Sequence, residues 1–266
     1  MSTLPFKSLN RSAARTILLL HGGNSSGIEW DGVASHLTDY HLLIPDLHHS
    51  PSFATAPDAW TFANLADMLQ SLITKEAHDS QVDLVGLSMG GYLSVYLAAN
   101  YPHLIRNTFI SGSHTSFAYH RVLGGVLGLE AWVQTVAPKW LFTFVANTIG
   151  GQNNGAELHD EVHQNPRTDP PFQRGRAMGQ ALGTEVPQEV WEKVKSRTLL
   201  VAGSKEIQLS RVKLCLGWLQ KGNDQSQGVI VPGKVHPWNQ QDPELFAQGI
   251  RCWIEEKALP SGYVLQ

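Results

Sequence analysis

Val82-Asp83-Leu84-Val85-Gly86-Leu87-Ser88-Met89-Gly90-Gly91 reads as a short strand that breaks at a glycine-flanked serine and runs straight into an apolar helix ending at Asn100, where Tyr101-Pro102 stops it. A bare G-x-S-x-G arises by chance about 0.1 times in a chain of this length, so the pattern alone decides little. The setting decides more. A hydroxyl on a sharp turn between strand and helix is held clear of the sheet edge, and the flanking glycines let neighbouring backbone come close. The helix N-terminus beneath it presents a positive dipole end to a developing anion. The alternative for these residues is a glycine-rich turn carrying an incidental serine. Ser88 is therefore the first candidate nucleophile.

Outward from this turn, short apolar runs alternate with longer stretches of helical period, the pattern of βα units around a mostly parallel sheet with helices on both faces. The expected strands are Thr16 to Leu20, His41 to Pro45, Gln81 to Val85, Asn107 to Ser111, Thr198 to Val201 and Gly228 to Val231. Asp58 is placed to cap a helix from Thr61 to Glu76, and Asp242-Pro243-Glu244 supplies cap, first-turn proline and early acid for the last helix. The alternation fails from about Ser113 to Trp191, where helix-like pieces separated by Gly and Pro hold no strand candidate. The expected organisation is a core of residues 1–112 and 192–266 interrupted by a helical lid, 113–191. Phe117, Tyr119, Trp132, Trp140, Phe142 and Phe144 in that segment suggest a cover over a pocket for an apolar or aromatic small molecule, or else rings that pack the segment onto the body.

Length and composition set the bounds. At 266 residues the chain suits one catalytic domain with an insertion, and 42% apolar with 16% charged residues is a folded, enzyme-like balance. A net charge of -3 without a basic run argues against phosphate-backbone binding, so no nucleic-acid partner is expected. Cys215 and Cys252 lie in apolar helical stretches, where a buried thiol is the ordinary reading, and two cysteines make no disulfide framework. Met1 to Arg15 lacks the apolar run of a secretion signal, and Trp140 to Ile149 is too short to span a bilayer, so the expectation is a cytoplasmic protein without membrane contact.

With these signposts in order, the sequence resembles the α/β-hydrolase family over nearly the whole chain outside 113–191. His21-Gly22-Gly23 ends the first long strand as the family's oxyanion loop does, and His21 to Trp30 is similar to small methylesterases and hydroxynitrile lyases. Ile44-Pro45-Asp46-Leu47 matches the next strand end, although His48-His49-Ser50-Pro51 replaces the usual glycine-containing loop. The family places its base on a loop after the last parallel strand. His236 stands there, behind Val229-Ile230-Val231-Pro232-Gly233, with Gly233 permitting a tight bend; elsewhere a lone histidine is more often structural. The resemblance implies an acid where Glu206 stands, after Leu199-Leu200-Val201-Ala202-Gly203, with Glu replacing the commoner Asp; a solvated glutamate paired with Lys205 is the other reading. Ser, acid, His is the family's chain order.

The resemblance thus implies a Ser88–His236–Glu206 site that forms an acyl-enzyme, with the N–H groups of Gly23 and Met89 as the oxyanion hole and no cofactor or metal. Asn24 and Ser25 either add polar contacts or cap the helix near Ile28. His48, His49 and His114 are candidates for the pocket entrance, and adjacent histidines alone do not give metal geometry. The expected activity is cleavage of an ester, thioester or lactone of an apolar small molecule. Rival readings are a lyase using the same triad, a ligand-binding receptor with residual turnover, and a nicotinamide enzyme, the last lacking any G-x-G-x-x-G after the first strand.

Overall fold

The structure, a computed structural model, describes residues 4–50, 53, 56, 59–114, 120–148, 155–164 and 169–266. Eight strands form one sheet: β1 (Phe6–Leu9), β2 (Thr16–Leu20), β3 (His41–Pro45), β4 (Val82–Leu87), β5 (Ile105–Ser111), β6 (Arg197–Gly203), β7 (Gln227–Val231) and β8 (Val264–Leu265). Their spatial order is β1-β3-β2-β4-β5-β6-β7-β8. The six inner strands run parallel, and β1 and β8 lie antiparallel on the two edges.

Burial on both faces explains the near-continuous apolar inner strands. Every residue of β2 is buried, and its side chains alternate between two cores. Leu18 and Leu20 join Phe62, Leu93 and Trp191 on one face, while Ile17 and Leu19 join Trp30, Trp238 and Phe246 on the other. The edges read differently. β1 is largely exposed and mixes Lys7 and Ser8 with its two apolar residues, and β8 is two exposed residues long, so neither carries the signature of a buried strand. The inner strands match the expected runs with small extensions: β4 continues to Leu87, β5 begins at Ile105 and β6 reaches Gly203.

The main helices are α1 (Phe62–Glu76), α2 (Met89–Asn100), α3 (His120–Val136), α4 (Lys139–Thr148), α5 (Gly155–Gln164), α6 (Pro171–Thr184), α7 (Ser210–Gly222) and α8 (Pro243–Ile254). α1 is capped by Thr61, whose side chain accepts the Asn64 N–H, whereas Asp58 lies outside the described residues. α8 begins as expected, with Asp242 accepting the Leu245 N–H at 3.2 Å ahead of Pro243. Cys215 and Cys252 are free thiols in α7 and α8. No helix among the described residues is long and apolar enough to cross a membrane.

Between β5 and β6 the described residues hold helices and no strand, with α3 packed along α6. Of the aromatic rings expected to cover a pocket, the four that the structure describes do not line the cavity that holds Ser88 and His236. Trp132, Trp140 and Phe144 are 46%, 71% and 58% exposed. Phe142 packs into a small separate cluster with Leu158 and Val162, and Phe117 and Tyr119 lie outside the described residues. The physical reason is helical geometry: a helix packed along one side turns its other apolar positions outward.

Candidate active site

Ser88 stands between β4 and α2 with φ 53° and ψ −118°, a conformation that L-residues rarely hold. Several bonds enforce it. Its N–H donates to Ser111 O at 2.8 Å, and its carbonyl accepts from Gly91 N–H at 2.9 Å and from Ser113 Oγ at 2.8 Å. The glycine at position 90 follows from packing, because a Cβ there would stand 2.2 Å from Leu20 O at the end of β2. The serine therefore sits on a locally strained turn at the carboxyl edge of the sheet.

His236 and Glu206 come from the loops after β7 and β6. His236 Nδ1 lies 2.8 Å from Glu206 Oε2, and Glu206 Oε1 accepts the Gly203 N–H at 2.6 Å. An ionised carboxylate only accepts, so Nδ1 carries the proton and Nε2 is left as the basic nitrogen. Burial disfavours a charged His236 ring, but the hydrogen bond and charge of Glu206, with the charge of Glu29, outweigh it and hold the imidazole above its usual pKa. The ring rests on Gly112 at the end of β5, where φ is +68° and a Cβ would lie 2.5 Å from His236 Cε1. Just beyond the histidine, Trp238 Nε1 donates to Ser111 Oγ at 2.9 Å and ties the loop to the sheet.

Ser88, His236 and Glu206 line one cavity of about 620 Å³ together with Gly22, Gly23 and Met89. Among the described residues no hydrogen bond joins Ser88 to His236; in ligand-free sites such contacts are often long and tighten with substrate. Gly23 and Met89 are adjacent, since a Cβ on Gly23 would lie 3.9 Å from Met89 Cβ. The remaining wall is largely aliphatic, with Leu123 and Leu127 from α3, Met178 and Leu182 from α6, and Ile207 after β6.

Other expected residues have different places. Asn24 Nδ2 donates to Leu127 O at 2.9 Å, tying the loop after β2 to α3, and Ser25 lines the cavity. The cap of the short helical turn Gly27–Trp30 is Ser26. His48, His49 and His114 are absent from the cavity lining. His48 is buried and stacks on Trp60 at 5.7 Å, and His114 Nε2 lies 2.9 Å from Ile207 O. His49 Nδ1 bonds Asp46 Oδ2 at 2.8 Å. Asp46, His49 and Glu161 bring three ligand-type atoms within 4.8 Å of one another, and a hydrogen bond already joins the first two of these residues. His21 Nε2 accepts the Leu47 N–H at 2.9 Å, so its Nδ1–H donates to Gly22 O at 2.8 Å and the ring is neutral.

One group escaped the sequence reading. Glu29 is buried, lines the cavity, and accepts the Gly22 N–H on Oε2 at 2.7 Å. Burial pushes its carboxyl up, with the Gly22 N–H pulling the other way. The available signal was an acid between two bulky apolar residues, Ile28 and Trp30.

Comparison with known proteins agrees with this architecture. Residues 15–205 match the alpha/beta hydrolase fold family model. An AB hydrolase superfamily protein of Gibberella zeae is 27% identical over 280 residues, covering 98% of this chain and 87% of its own. Lipase 3 of Moraxella sp. is 33% identical over 98 residues, 35% of this chain and 30% of that protein. In fold, the chain resembles a thermophilic esterase from Thermogutta terrifontis, with TM-score 0.67 and 22% identity over 95% of this chain and 93% of that one. By sequence and by fold, the chain belongs to the α/β-hydrolase fold family.

Proposed function

We propose that this enzyme is a serine hydrolase that cleaves an ester, thioester or lactone of a small apolar molecule through an acyl-enzyme on Ser88. The observation that carries the reading is the 2.8 Å bond between His236 Nδ1 and Glu206 in the cavity that Ser88 lines. Ser88 Oγ attacks the substrate carbonyl carbon while His236 Nε2 takes its proton. The carbonyl oxygen becomes an oxyanion facing the Gly23 and Met89 N–H groups, each donor being worth about a hundredfold in rate. Collapse expels the leaving group, which receives the proton from His236. Water then attacks the acyl carbonyl with His236 again as base, releasing the acid and restoring Ser88.

The cavity supports the substrate class. At about 620 Å³ it falls within the usual range for small-molecule sites, roughly 300–1,000 Å³, and its aliphatic wall favours an apolar acyl or alcohol part. The partial likeness to a lipase and the fold likeness to an esterase point the same way. Residues 113–191 act in this reading as a lid on the core of 1–112 and 192–266, with α3 and α6 supplying the wall.

The test is a series of p-nitrophenyl esters of increasing acyl length, run with fluorophosphonate labelling. Wild type turns over the shorter esters and is labelled, and Ser88→Ala loses both. A wild type that does neither overturns the proposal.

A further inference from the structure

We infer that Glu29 is a positioning residue for the acyl-transfer site: its carboxyl group clamps the oxyanion loop at Gly22 and shares the cavity of the His236 ring as a second acid. The inference rests on the proposed roles of Ser88 and His236.

A glutamate 5% exposed needs a reason, since a carboxyl taken out of water gives up its hydration. Among the described residues no Lys or Arg pairs with Glu29. What it holds is backbone. Its Oε2 accepts the Gly22 N–H at 2.7 Å, while the neutral His21 ring donates to the Gly22 carbonyl at 2.8 Å. The peptide groups on both sides of the Gly22 Cα are thereby fixed. Because a peptide is planar, fixing the Gly22 carbonyl also aims the Gly23 N–H, the proposed oxyanion donor, in the opposite direction. Glu29 thus completes a two-point clamp on a loop that its glycines would otherwise leave free to turn.

The same residue reaches the loop that carries the base. Asn239 Nδ2 donates to Glu29 O at 3.3 Å, and Gln240 Nε2 lies 3.5 Å from Glu29 Oε1. Both donors follow His236 within four positions, so Glu29 couples the oxyanion loop to the base loop. Glu29 and His236 line the same cavity, and their opposite charges favour one another. Around His236 the charged groups are Glu206 from the loop after β6 and Glu29 from the turn after β2. Lys234 is engaged by Asp242 at 2.6 Å, Lys205 and Glu130 also line the cavity, and His21 is neutral by its bonds.

The test compares wild type, Glu29→Gln and Glu29→Ala by NMR titration of the His236 ring and by steady-state kinetics on p-nitrophenyl butyrate. The glutamine keeps an acceptor for the Gly22 N–H and removes the charge. It should move the His236 titration to lower pH and lower kcat about fivefold with KM little changed. The alanine removes the clamp as well and should lower kcat about fiftyfold. An unmoved His236 titration in the glutamine variant overturns the inference, as does a folded alanine variant with wild-type kcat. If the alanine variant does not fold, the glutamine variant decides through the titration, which a merely structural tie would not move. Wild type is labelled first with fluorophosphonate: failure there overturns the serine-hydrolase reading itself, whereas labelled wild type with unmoved variants overturns only the role of Glu29.

Discussion

Gly112→Ala should silence the site without removing any reacting group. The added Cβ would lie 2.5 Å from His236 Cε1, 2.8 Å from Nδ1 and 3.4 Å from Glu206 Oε2. Position 112 cannot swing aside, because its N–H is bonded to Val201 O at 3.0 Å within the sheet. To reach ordinary contact the ring must retreat by about 1 Å. A displacement of that size at a reacting group costs about a hundredfold in rate. Holding alanine at a φ of +68° adds a stability cost of about 1 kcal/mol. The assay is kcat on p-nitrophenyl butyrate beside a thermal unfolding curve. Gly233→Ala serves as control: that residue also has positive φ, at +76°, but a Cβ there meets nothing within 4 Å. It should show the stability cost with a far smaller rate effect. A Gly112→Ala enzyme with kcat within threefold of wild type would refute the claim that the ring rests on this backbone.

Three further outcomes are expected. Glu206→Gln should lower kcat about a thousandfold with the fold intact; an unchanged rate would move the orienting acid elsewhere. Since the proposed mechanism requires neutral His236 and the native environment raises its pKa through Glu206 and Glu29, kcat/KM should climb with pH through a midpoint above that of a free imidazole, and a midpoint at or below it would contradict the assignment. Asp83, fully buried at the start of β4, accepts from Arg15 at 2.5 and 2.9 Å and from Asn107 at 2.9 Å. Asp83→Ala should therefore destabilise by about 3 kcal/mol while the folded enzyme keeps its kcat, checked by denaturant titration alongside the ester assay.

Much of the core was legible because inner parallel strands are covered on both faces and leave unbroken apolar runs such as Thr16 to Leu20. β1 and β8 were not, since half-exposed edge strands lack that pattern. Ser88 could be read locally, from strand, turn and helix. The places of Glu206 and His236 came from the family's order, and only coordinates bring their side chains together. Glu29 was illegible for a different reason: its partners Asn239 and Gln240 come to it from 210 and 211 positions away. The histidine pair was misleading in the opposite sense, since His48 packs inward against Trp60 and His49 engages Asp46.

The strand order carries one more consequence. β4 and β7 are separated by β5 and β6, so at about 4.8 Å per strand the base must be delivered across roughly 14 Å of sheet edge. The chain from Pro232 to Pro237 carries the ring part of that way, to Gly112 at the end of β5, and is moored where the Lys205 N–H meets Lys234 O at 3.0 Å and the Gly233 N–H meets Ser204 Oγ at 2.8 Å. In the proposed mechanism, nucleophile and base thus arrive by independent routes. Loosening these moorings would leave a folded protein with its serine poised and its proton acceptor adrift, so loss of turnover and loss of structure are separable events in this architecture.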